Sequence, residues 1–139
     1  MVQIIAGRKG KGKTKFLLEK VNSAVKEAHG TIVYLDKNTQ HMYDLSNRVR
    51  LIDVFKYPIH SYEAFLGFIC GIISQDHDLE QVYMDAFLKL SNLNGNEIER
   101  AVDDLAAISE KYGVEFILCV SEDKGNLPAN AQECTVIAL

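Results

Sequence analysis

Apolar positions along the 139 residues fall into short solid runs separated by stretches of helical spacing. Val2 to Ala6, Thr31 to Leu35, Val114 to Val120 and Cys134 to Leu139 are near-continuous apolar runs, as expected of strands buried on both faces, and Leu79 to Asp85 reads as a strand that ends in an aspartate. Val49 to Phe55 alternates and is expected to be a short strand or an extended segment. Leu17, Leu18, Val21, Ala24, Val25 and Ala28 recur at helical spacing, and Gly30 is placed to end that helix. A second helix is predicted from Tyr62 to Ser74, after Pro58 and capped by Ser61, with Phe65, Phe68, Ile69, Ile72 and Ile73 on one face. Gly67 and Gly71 lie four apart and predict close packing of this helix on a sheet. A third helix carries the stripe Ile98, Ala101, Val102, Leu105 and Ile108, with capping-box spacing at Asn96 and Glu99 and Gly113 at its end. Lys37 to Asn47 is expected to mix loop and short helix, and Gly125 to Asn130 to be a loop. Strand and helix alternate without a linker or repeat. This predicts one α/β domain over residues 1–139, a three-layer sandwich around a mainly parallel sheet of about five strands.

Composition refines the picture modestly. The hydrophobic content of 47% suits a globular domain. A net charge of -4 argues against nucleic acid as a partner. The positive charge is unevenly spread, with Arg8, Lys9, Lys11, Lys13 and Lys15 close together near the start. Cys70, Cys119 and Cys134 each sit in apolar surroundings and read as reduced core residues. His29, His41, His60 and His77 are scattered and predict no metal site. No leader peptide is visible, and the apolar run from Ala64 to Ile73 cannot span a bilayer, so a cytoplasmic location without membrane contact is expected.

The basic cluster coincides with a motif. Gly7-Arg8-Lys9-Gly10-Lys11-Gly12-Lys13-Thr14 matches G-x-x-x-x-G-K-[ST], directly after an apolar run and before a helical pattern. The glycines let backbone N–H groups converge on one anion, and the helix that follows offers unpaired N–H groups and the positive end of its dipole. The expected ligand is a nucleoside triphosphate with magnesium. Gly7 to Lys15 would cradle the phosphates, Lys13 would reach the β- and γ-phosphates, and Thr14 would bind Mg2+.

Such a loop needs a carboxylate partner for the metal, and ligands of these sheets bind at the carboxyl ends of the strands. Asp85 closes the run Val82-Tyr83-Met84 and is the expected magnesium aspartate. Hydrolysis also needs a group that orients or deprotonates water. In many ATPases of this type a glutamate follows the aspartate; here Ala86 and Phe87 follow. Asp36 is the first choice of surrogate base, and an arginine from a neighbouring copy (Arg48, Arg50 or Arg100) is the alternative. The guanine-reading Asn-Lys-x-Asp motif is absent, which favours ATP.

This order of parts resembles the RecA-like branch of P-loop NTPases. The likeness runs from the phosphate loop through Tyr34-Leu35-Asp36-Lys37-Asn38 and the strand ending at Asp85 to a strand ending in a polar residue, Ser121. The resemblance implies a sheet order of 5-1-4-3-2 and a nucleotide-sensing role for Ser121. The family's catalytic glutamate would fall near Asn38, and the family's large DNA-binding loops and oligomerisation arm are missing. Three functions are compatible with this: a slow or partner-stimulated ATPase, a nucleotide-gated binding module that does not hydrolyse, and a small P-loop kinase. The protein partner and any homo-oligomer are left open.

Overall fold

The computed structural model describes residues 1–139. Six strands form one sheet: β1 (Val2–Ala6), β2 (Thr31–Asp36), β3 (Val49–Asp53), β4 (Leu79–Met84), β5 (Glu115–Val120) and β6 (Thr135–Ala138). Their order is β3-β2-β4-β5-β1-β6, and every neighbouring pair is parallel. The sheet thus has six strands rather than about five, because the alternating Val49 segment pairs with β2 along an edge.

Five helices cover the sheet: α1 (Lys13–Val25), α2 (Tyr62–Ser74), α3 (Phe87–Ser91), α4 (Ile98–Tyr112) and α5 (Ala129–Cys134). Side chains alternate across each strand, so the central strands feed two cores. Val33, Leu35, Val82, Met84, Phe116 and Leu118 pack with Phe65, Ile69, Phe87 and Leu105 from α2, α3 and α4. Ile5, Ile32, Tyr34, Tyr83 and Ile117 pack with Leu17, Val21 and Val25 of α1. Burial on both faces explains why these strands read as solid apolar runs. Each large side chain buried this way contributes about 1.5–3 kcal/mol.

The parallel register aligns the strand ends. Leu35 lies opposite Met84, Met84 opposite Leu118, and Ala6 opposite Val120. The chain therefore leaves β1, β2, β4 and β5 along one edge of the sheet, at Gly7, Lys37, Asp85 and Ser121.

Several local expectations need correction. Residues 37–47 form turns and no helix. Two short helices, α3 and α5, carry too few buried positions to show a periodic stripe; α5 buries only Ala131 and begins after Pro128. Cys134 ends α5 rather than opening β6. The capping box uses Asn94 and Glu97, with the Asn94 N–H donating to Glu97 Oε1 at 3.0 Å, instead of Asn96 and Glu99. Gly67 and Gly71 face outward, where a Cβ would meet nothing within 4 Å, and so do not bring α2 closer to the sheet. Of the cysteines only Cys119 is a core residue; Cys70 is exposed and Cys134 half-buried.

Candidate functional site

Where β1 ends, the Gly7 N–H donates to the Val120 carbonyl at 3.3 Å, and the chain then turns off the sheet. Gly10 at φ 89° and Gly12 at φ 85° make that turn. Both lie in the left-handed region that costs other residues roughly 1–2 kcal/mol. α1 opens at once with Lys13, and its first turn has neither a side-chain cap nor an acidic residue. Its first N–H groups are therefore free of side-chain partners, at the positive end of a 13-residue helix.

The second helical side chain, Thr14, reaches the residue after β4. The Thr14 hydroxyl donates to Asp85 Oδ2 at 3.0 Å, and the Tyr34 hydroxyl donates to the same oxygen at 3.2 Å. Asp85 Oδ1 accepts the Ala86 N–H at 2.9 Å, while the Asp85 N–H donates to the Leu35 carbonyl and extends the ladder by one residue. Ala86 stands at φ 51°, a left-handed conformation that swings the chain from β4 into α3. Lys13 is 8% exposed and donates from Nζ to the Arg8 carbonyl at 3.0 Å, so the loop orients its own lysine.

Asp36 lies beside this group. It is 2% exposed; its Oδ1 accepts the Lys37 N–H at 2.7 Å, and its Oδ2 is buried without a partner. Burial pushes its carboxyl above the ordinary value of 3.8, Asp85 pushes the same way, and the Lys37 N–H and His41 oppose them. Burial, with help from Asp85 and Asp36, likewise raises Tyr34, which keeps it a hydrogen-bond donor. Cys119 is pushed up mainly by burial, so its thiol is inert.

These groups surround one cavity of about 610 Å³ at the carboxyl edge of the sheet. It gathers Lys9, Gly10, Gly12, Lys13, Thr14, Asp36, Asp85 and Ser121 among the residues singled out by sequence. Gly7, Arg8, Lys11 and Lys15 do not line it. Gly7 lies against Leu139, Arg8 pairs with Asp123 at 2.7 Å, and Lys11 and Lys15 face solvent. Arg48 and Arg100 are engaged elsewhere: Arg48 donates to the carbonyls of Val25 and Ala28, and Arg100 pairs with Glu63 over the Tyr62 ring.

No family model matches the chain, and no curated protein matches it. The chemistry of the site must be read from its own atoms.

Three cavity residues were not legible in advance. Lys37 and Lys89 join Lys9 around the rim, from three different segments, and none of them forms an ion pair. Lys37 above all, and Lys9 after it, hold the Lys89 ammonium below its ordinary range. Mutually repelling cations around a cavity attract an anion. The third residue is His41, which the scattered histidines gave no reason to single out and whose ring has a nitrogen within 4.8 Å of carboxylate oxygens of Asp36 and Asp85. Its signal was absent because the turn containing it follows no periodic pattern. The oxygens of Thr14 and Asp85 are hard donors of the kind magnesium takes, and the unpartnered Asp36 Oδ2 fits a cation nearby.

Proposed function

We propose that this protein binds ATP with magnesium in the cavity at the carboxyl edge of its sheet, on a small RecA-like P-loop core, and hydrolyses it slowly or on contact with a protein partner. The observation that carries this reading is the glycine-turned loop opening α1, with Thr14 bonded to the buried Asp85 across the cavity. The strand order supports it as well. With edge strand β3 set aside and the rest renumbered along the chain, the sheet reads 5-1-4-3-2.

In this reading the loop N–H groups and Lys13 hold the β- and γ-phosphates. Lys9, Lys37 and Lys89 add positive charge around the rim, and Ser121 contacts the phosphate end. Thr14 and Asp85 hold magnesium, which would supply positive charge to the phosphate oxygens. Asp36 holds and deprotonates the attacking water. Its raised proton affinity suits a base better than an ordinary carboxylate would.

One observation favours the non-hydrolysing alternative, a nucleotide-gated binding module. Ala86 stands directly after Asp85, where a glutamate would serve, and Asp36 is 2% exposed. A single-turnover ATPase assay beside Asp36→Asn and Lys13→Ala decides between them. Turnover that both substitutions abolish supports the ATPase. Tight ATP binding with no turnover supports the module.

A further inference from the structure

We propose that Asp36, His41 and Asp85 form a binding site for a first-row transition-metal ion, held by the protein before any nucleotide arrives. One donor atom from each residue lies within 4.8 Å of the other two. The three come from separate places, the end of β2, the turn after it and the residue after β4, and the parallel register brings them together.

Two buried carboxylates side by side are unfavourable unless something positive joins them. Here no lysine or arginine pairs with either one. Asp85 has both oxygens hydrogen-bonded, by Thr14, Tyr34 and the Ala86 N–H. Asp36 does not: its Oδ2 is buried with no partner, in a carboxylate that lies within reach of the other two residues' donor atoms. A bound cation answers both the repulsion and the orphaned oxygen.

His41 decides which cation. Its Nδ1 lies 3.1 Å from Asp44 Oδ2, and a carboxylate there favours the tautomer protonated at Nδ1 with its lone pair on Nε2. A carboxylate behind a ligating imidazole also raises its basicity. Magnesium prefers oxygen and gives up water reluctantly, whereas one nitrogen with two carboxylates suits Mn2+, Co2+ or Zn2+. Asp36 and Asp85 both belong to this set and to the nucleotide reading, but this site needs no phosphate.

The test is a titration of the full chain with Co2+, followed by visible absorption, and with Mn2+, followed by electron paramagnetic resonance. Both are done without nucleotide and with magnesium in excess. One ion per chain is expected, resistant to about 100-fold excess magnesium. His41→Ala and Asp36→Asn should each weaken binding at least about tenfold, while the exposed His77→Ala should leave it unchanged. Circular dichroism confirms that the variants are folded. Absence of saturable binding, displacement by equimolar magnesium, or binding indifferent to His41 and Asp36 overturns the proposal. Because no nucleotide is present, none of these outcomes bears on ATP binding, which is read separately.

Discussion

The Thr14 hydroxyl donates to Asp85 Oδ2 at 3.0 Å, joining the first turn of α1 to the end of β4 across 71 residues of sequence. Both residues are held independently. Thr14 follows a loop whose turn needs two left-handed glycines, and Asp85 is fixed by its N–H on Leu35 and by Tyr34. If these two oxygens hold magnesium, Thr14→Ala should weaken ATP binding about tenfold or more when magnesium is present, and scarcely at all when it is chelated. Thr14→Ser should restore it. Isothermal titration with and without EDTA measures both.

Asp36 links the site to stability. Its folded-state proton affinity is raised, so folding favours the protonated form. The stability contribution is fully present below the ordinary value of 3.8 and is lost as pH rises through the higher folded value. Asp36→Asn should therefore be more stable than the wild type at neutral pH. That advantage should shrink toward zero as the pH falls through this window. Urea denaturation at a series of pH values reads the difference, and an advantage that does not shrink on acidification contradicts it.

The rim lysines should matter for ligand and not for fold. Lys37→Ala and Lys89→Ala should each weaken ATP binding by up to about fivefold, with a shallower dependence on salt. Their melting temperatures should equal or exceed the wild type's, because Lys37 and Lys9 repel Lys89. A loss of melting temperature in step with affinity would assign them a structural role instead.

Two glycines provide an internal check on the packing. At Gly30 a Cβ would run into the Asp78 carbonyl oxygen, in the turn that leads into β2. Gly30→Ala should cost about 1–3 kcal/mol. Gly67 sits on the exposed face of α2 with open space around it, and Gly67→Ala should stabilise by about 0.5–1 kcal/mol. Opposite signs at two glycines in one denaturation series are the expected result.

The strands and the glycine-turned loop before α1 were legible because each leaves a dense local signal. Runs such as Val82-Tyr83-Met84 are buried on both faces, and Gly7 to Thr14 has fixed spacing. The rest depends on long-range register. Lys89 rides on α3, five residues long and too short to declare itself, and reaches the rim only because Ala86 takes a left-handed turn. His41 meets Asp36 and Asp85 through a turn without periodicity. Gly67 and Gly71 misled because their spacing fits a packed helix face as well as an open one, and burial alone separates the two. The Gly7 to Thr14 motif was also broader than the cavity: Arg8 fits its spacing yet turns outward to Asp123.

The central claim, that the cavity binds ATP through the loop before α1, is tested most directly by calorimetric titration of magnesium-ATP into the wild type and Lys13→Ala. Saturable one-to-one binding by the wild type, weakened at least about tenfold in Lys13→Ala with the fold intact, is the predicted result. No binding by the wild type, or equal affinity in the two proteins, would contradict it.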